Sequence, residues 1–349
     1  MKPLRERAAA VRRIPDAPAH FGPPKAWSWK RTLTQRVSTP AAERSTAMTE
    51  GPPNRVLVGV DNDRKSDQAI RAALDMNRKF GSRLQLVHAV DIPRPEDVAS
   101  LEVAGMSAEI EAATFERLAA QIQELFDAES YTEDRAADVL EVTIGHPSRV
   151  LIDRAADTAV DLIVMGKHEK HGFFDFGSTV RPVLAKATCH LWVQPAECRP
   201  IHKILVPIDL SEDSRAALRI ALKWAEKTSA SVTALHCFMP PELAYAPTAD
   251  GNLGPAYVVN DVRDLAQREF EEAMDAFDWG GVEHERRFIE GLPVGTILEL
   301  QDAFDLIAMG SHGRTGLSAA VLGNVAYSTM KEARIPVLAI RQPNRRWLL

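Results

Sequence analysis

A chain of 349 residues exceeds what one hydrophobic core fills, so about two domains are expected. Apolar residues make up 45% and charged residues 26%, and the apolar runs stop at about eight, far short of the ~20 that a membrane helix needs. Net charge is −6, but residues 1 to 50 carry ten Lys/Arg against four Asp/Glu; that surplus of +6 leaves −12 on residues 51 to 349, which argues against nucleic acid as a partner of the globular part.

The leader from Met1 to Glu50 is rich in Ala, Pro and Arg without a sustained helical or strand period, and is expected to be disordered. It lacks the apolar core of a secretory signal. Two readings of it stay open: an Arg-rich organelle address, or a leader that is not translated because synthesis starts at Met48.

From Val56 onward, short apolar β-rich runs alternate with longer helical patterns, twice over. The first set is VLVGVD (56–61), RLQLVHAV (83–90), DVLEVTIG (138–145), DLIVMG (161–166) and HLWVQ (190–194). The second is KILVPID (203–209), SVTALHCF (231–238), VEHERRFIEG (282–291), DLIAMG (305–310) and PVLAIR (336–341). Landmarks recur at nearly constant offsets: Asp61 with Asp209 (148 apart), Gly145-His-Pro with Gly291-Leu-Pro (146), and Gly166 with Gly310 (144). A period of this length is a duplicated domain, too long for a solenoid. The expected organisation is a leader over 1–53, a first domain over 54–197, a second over 201–342 and a tail over 343–349.

The continuous apolar runs of the first and fourth strands imply burial on both faces, and strand–helix alternation implies crossovers and a parallel sheet. After Asp209, Ser211 is the expected N-cap of a helix, with Glu212 and Asp213 in its first turn and Leu218, Ala221, Leu222 and Ala225 on its core face. Each half therefore reads as a doubly wound α/β domain. Ligands of such folds collect outside the carboxyl ends of the strands, where Asp61, Asp209, Gly166, Gly310 and both Gly-x-Pro turns fall.

Cys189, Cys198 and Cys237 show neither metal-ligand nor redox spacing, which suits free thiols in a reducing cytosol. The run KHEKH (167–171) has one residue too few between Glu and the second His for a zinc-protease helix, and reads as solvated charge. His88 and His236 hold equivalent places on the second strands and are expected in or near the core. No serine has the Gly-x-Ser-x-Gly context of a nucleophile, and no metal is expected.

The stretch GSHGRTGLSAAVLGN (310–324) carries the main functional signal. Gly310, Gly313 and Gly323 allow close backbone approach, and Gly323-Asn324 precedes a helical pattern over 325–332, a design that presents free N–H groups to an anion. It is neither a Walker A loop nor a dinucleotide fingerprint. The bland alternative is that these glycines are turn residues and Asn324 a helix cap.

With its strand-ending aspartates, its Gly-x-Pro turns and DLIVMGKH and DLIAMGSHGRTG in matching places, the chain over 54–342 resembles the universal stress protein family. The nucleotide-binding members of that family carry Gly-x-x-Gly, nine residues, then Gly-Ser/Thr. The resemblance implies two tandem domains, each a five-stranded, parallel, Rossmann-like sheet similar to the adenine nucleotide alpha hydrolases. It implies no chemistry common to all members and adenine-nucleotide binding in one branch. Carried over by position, Asp209 would face the nucleoside, and Gly310, Gly313, Gly323 and Asn324 would line the phosphates. Asn324 stands in place of the hydroxyl residue, and the Gly-Asn ending is similar to that of the tandem branch called universal stress protein E.

The first copy has drifted: GKHEKHGFFDFGST puts Glu169 at the second glycine position, which implies no ATP there, and Phe173, Phe174 and Phe176 supply apolar surface instead. Asp61 is accordingly read as a helix cap. Arg314 and Lys167 are candidates for steering an anion.

The expectation is a cytoplasmic stress-response binding protein with ATP as the candidate ligand of the second domain only. No membrane and no catalytic residue are expected. The alternatives are a nucleotide-free module for an apolar ligand or protein partner, and a weak ATPase. The closing strands, 191–194 and 337–341, are expected to meet at the interdomain contact as an intramolecular pseudo-dimer, with a further homodimer left open.

Overall fold

The computed structural model describes residues 51–62, 64, 66–92, 105–167, 176–195, 197–240, 256–312 and 323–342. The leader to Glu50, residues His168 to His171 of KHEKH, Phe173, Phe174, Gly313, Arg314, the tail from 343 and the side chain of Phe176 lie outside the described residues.

The first half comprises β1 (Arg55–Gly59), α1 (Asp67–Phe80), β2 (Arg83–Val90), α2 (Met106–Ala128), the short α3 (Ala136–Val139), β3 (Leu140–Ile144), α4 (Pro147–Thr158), β4 (Leu162–Gly166), α5 (Phe176–Lys186) and β5 (His190–Gln194). The second comprises β6 (Lys203–Pro207), α6 (Glu212–Thr228), β7 (Ser231–Phe238), α7 (Ala256–Asp275), β8 (His284–Glu290), α8 (Pro293–Leu300), β9 (Leu306–Gly310), α9 (Asn324–Glu332) and β10 (Val337–Ile340).

The strands form a single ten-stranded sheet in the order β3-β2-β1-β4-β5-β10-β9-β6-β7-β8. Within each half all pairings are parallel, and the halves join through antiparallel β5 and β10, with Trp192 opposite Leu338. The closing strands thus meet at the interdomain contact as the edge argument requires, each covering the other's open hydrogen-bonding groups.

Helices cover both faces, which is why β4 and β5 are buried along their whole length. Residues of α1, α2, α6 and α7 share one core with Val56, Val58, Ile204 and Val206, while α4, α5, α8 and α9 share the other with Leu57, Ile163, Leu205 and Ile307. Ser211 is the N-cap of α6, its hydroxyl accepting from Ser214 N–H at 3.2 Å, and Leu218, Ala221, Leu222 and Ala225 are buried.

The third strand starts two residues later than its apolar pattern suggests. Residues 136–139 instead form α3, held by Gln123 of α2, whose side-chain oxygen accepts from Ala136 N–H at 3.0 Å. At the outer edges, Glu111 accepts from Ile144 N–H at 2.9 Å to blunt β3, and β8 carries His284, Glu285, Arg286, Arg287 and Glu290 in a seven-residue strand.

Candidate functional site

In the second half the chain runs from β6 outward through β7 and β8, then returns to β9 and β10 on the other side. The switch point therefore lies between the carboxyl ends of β6 and β9, the place where open α/β sheets hold ligands. There the two halves differ. β1 and β4 pair over four positions, as far as Gly59 and Met165, whereas β6 and β9 pair only at Ile204 with Leu306 and Leu205 with Ile307.

Pro207 accounts for the difference. Ile208 N–H donates to Leu235 of β7, and Asp305 N–H donates to Lys203 from the β9 side. The two-residue alternation turns position 207 toward β9, where proline has no N–H to give. The first half has Gly59 at the corresponding place. The β6–β9 ladder therefore stops at Leu205 and Ile307, two pairs short of its counterpart in the first half.

Asp209 follows β6 beyond the end of this ladder and is half-buried. One of its carboxylate oxygens accepts from Ser211 N–H at 3.0 Å and from the Ser211 hydroxyl at 2.5 Å, while its own N–H donates to the Ser214 hydroxyl at 3.3 Å. Leu210 between them adopts φ 65°, a left-handed turn uncommon outside glycine, and packs on the core. Asp209 thus orients the cap of α6, a role expected of Asp61. At Asp61 the matching bond is from its N–H to the Ser66 hydroxyl, at 3.0 Å.

Gly310 ends β9 against the first turn of α6: a Cβ there would lie 2.9 Å from both the carbonyl carbon and Cβ of Asp213. Gly323 is the N-cap of α9, and a Cβ on it would lie 2.6 Å from the Ser311 carbonyl oxygen. Gly323 N–H donates to that same oxygen at 3.2 Å. Both glycines are therefore required by chain packing whatever binds nearby.

Asn324 is the first helical residue of α9 and is exposed, with Gly323 rather than Asn324 as the cap. The cap makes no side-chain bond, so the N–H groups of Asn324, Val325 and Ala326 in the first turn have no intrahelical acceptor. They carry the positive end of the helix dipole at the carboxyl edge of the sheet. The structure brings Asp209, Gly310, Gly323 and Asn324 to one edge of the sheet; Gly313 lies outside the described residues.

Two participants escaped the sequence reading. Asp213, in the first turn of α6, and His312, just after β9, have side chains only 3% and 6% exposed, with His312 Nδ1 at 3.6 Å from the Asp213 carboxylate. The Ser311 hydroxyl lies 2.9 Å from the same Nδ1. Serine and aspartate on one nitrogen do not form a catalytic triad, which needs them on opposite nitrogens. The sequence signal available was a proline ending an otherwise apolar strand; nothing in the sequence pairs His312 with Asp213, 99 residues away.

His88 and His236 are buried and play equivalent parts: each Nδ1 lies 2.7 Å from a carbonyl oxygen, Val60 and Ile208 respectively, and so donates to it. These carbonyls directly precede Asp61 and Asp209, so the histidines fix the strand ends. Cys237, on β7 nearby, has its thiol pushed up to about 11 by burial, against a smaller opposing effect from the Thr296 hydroxyl. Among the described residues no three His, Cys, Asp or Glu side chains gather as a metal site, and no helix is long and apolar enough to cross a membrane.

A duplicated parallel sheet, joined through its last strands and carrying a glycine-capped helix start at one switch point, defines a tandem doubly wound α/β protein. The sequence profile of the universal stress protein family matches residues 53–195 and again 200–341, and the chain belongs to that family. Universal stress protein MJ0531 of Methanocaldococcus jannaschii is 31% identical over 150 residues, 41% of this chain and 84% of that protein. Universal stress protein Slr1230 of Synechocystis is 22% identical over 307 residues, 82% of this chain and 99% of that one. Among solved structures, a universal stress protein from Archaeoglobus fulgidus shares the fold with a TM-score of 0.57 at 18% identity, covering 82% of this chain and 98% of its own.

Proposed function

We propose that this chain is a cytoplasmic regulatory protein of the stress response that binds one adenine nucleotide, ATP in the first instance, at the carboxyl edge of its second domain. The observation that carries the reading is that the start of α9, whose first-turn N–H groups have no intrahelical acceptor, and the Asp209 turn lie at the same carboxyl edge of the sheet, where the β6–β9 ladder ends early. The first-turn N–H groups of α9 suit phosphate oxygens, with Asn324 able to add a side-chain donor. Asp209 bounds the nucleoside end. The first domain takes no nucleotide: its strands stay paired to Gly59 and Met165, and its loop has Glu169 in place of a glycine. The protein is read as acting by binding: among the described residues Ser311, His312 and Asp213 do not form a catalytic triad.

A second reading, a nucleotide-free module for a protein partner or apolar ligand, is favoured by the packing reasons found for Gly310 and Gly323. The deciding experiment is mass spectrometry of small molecules released from protein purified without added nucleotide, with calorimetric titration of ATP into wild type, Gly313→Asp and Asn324→Ser. Stoichiometric adenine nucleotide, binding lost in Gly313→Asp and tightened in Asn324→Ser are expected. No released nucleotide and no heat up to millimolar ATP would replace the first reading with the second.

A further inference from the structure

We infer that Asp213 and His312 form a buried latch that ties the entrance of the glycine loop to the start of α6 and thereby positions the proposed phosphate site; the functional consequence rests on the nucleotide reading above. Ordinarily a carboxylate that is 3% exposed needs compensation. Asp213 receives it from the N-terminal turn of α6 and from the imidazole at 3.6 Å, a contact longer than a hydrogen bond and so electrostatic in character. The Nδ1–H tautomer is the one that points a proton at both the Asp213 carboxylate and the Ser311 hydroxyl.

Gly310 permits the approach, since any Cβ there would strike Asp213. On its other side His312 backs the start of α9: a Cβ on Gly323 would meet His312 Cα at 3.3 Å, and Ser311 accepts the Gly323 N–H. A chain of contacts thus runs from α6 through Asp213, His312 and Ser311 to the cap of α9. It sets the spacing of the two helix starts at this edge of the sheet. The repeat supplies an internal control: counting back by 148 puts Lys65 at the place of Asp213, while counting back by 144 puts His168 at the place of His312. The pairing of a carboxylate with an imidazole at these places is thus found in the sequence of the second copy, which keeps its glycines.

His312 and Asp213 are positioning residues, and the test reads the loop with and without ligand. Amide hydrogen exchange at Gly323 is measured in nucleotide-free wild type, His312→Leu, Asp213→Asn and His312→Asn, and ATP affinity is measured on the same four proteins. Asparagine places an amide nitrogen where Nδ1 stood, so it should restore what leucine removes. We expect exchange at Gly323 to rise and ATP affinity to fall, each roughly tenfold, in His312→Leu and Asp213→Asn, the loss of one buried polar contact to a carboxylate, with His312→Asn near wild type. Unchanged exchange in His312→Leu, or equal damage from leucine and asparagine, overturns the latch. If wild type binds no ATP, the nucleotide reading falls and the exchange rates alone judge the latch.

Discussion

Cys189 lies 4% exposed just before β5, and burial pushes its thiol up to about 12. Burial likewise raises Cys198, in the linker between β5 and β6, and Cys237 on β7 to about 11. A raised thiol pKa means that the folded chain holds the proton more tightly than the unfolded chain. The resulting stability is fully present below the ordinary thiol value of 9.0 and is lost as pH rises from there through 11 to 12. The same burial keeps the thiolate fraction negligible near neutrality. With an aromatic disulfide reagent at pH 8, the native protein should label slowly and all three thiols should react only in denaturant; rapid stoichiometric labelling of the native form would contradict the burial argument. Free thiols were legible from spacing alone. Asp209 was equally visible as a strand-ending carboxylate, but its bond to Ser211 was not, because an Asp two residues before a Ser reads alike whether the pair cap a helix or face a ligand.

Among the elements, the strands of the sheet and the core face of α6 followed from apolar period. What the period does not carry is where neighbouring elements stop touching. Pro207 is one residue in KILVPID, and its effect on the β6–β9 ladder depends on which neighbour its missing N–H faces. Asp213 and His312 are 99 positions apart in sequence and meet only once β9 packs beside α6. The glycine stretch was legible as a pattern, whereas the reason for each glycine was not. Gly323→Ala tests that reason: with a Cβ 2.6 Å from the Ser311 carbonyl oxygen, backbone must shift, and the variant should lose roughly 1–3 kcal/mol in urea unfolding even without nucleotide. A variant as stable as wild type would mean that the junction yields freely and that Gly323 is kept for ligand approach.

Across the whole molecule, the two halves are bound by more than the β5–β10 ladder. Lys167, at the end of β4, donates to the Ala333 carbonyl at the carboxyl end of α9 at 2.7 Å, and Arg341, after β10, donates to the Leu184 carbonyl in the last turn of α5 at 2.9 Å. Each half thus places a cation on the negative end of the other's helix, a contact type worth about 0.3–1 kcal/mol. The positions are not equivalent in the repeat, since Lys167 corresponds to Ser311, so the seam is particular to the tandem chain. On the opposite face Trp192 of β5 stacks on Trp224 of α6 at 5.5 Å, and Phe80 of α1 meets Trp224 edge-on at 5.2 Å. Trp224 is 2% exposed and belongs to a core containing residues of both halves. Cores shared in this way couple the stability of one half to the other, so wild-type unfolding followed by tryptophan fluorescence and by far-ultraviolet circular dichroism should give coincident transitions. Trp224→Ala removes a side chain at the join and should cost about 3–5 kcal/mol, with the two probes now separating as one half melts first. Separate transitions already in wild type would mean that the halves are stable independently, and that the ten-stranded sheet holds together two autonomous folds rather than one cooperative unit.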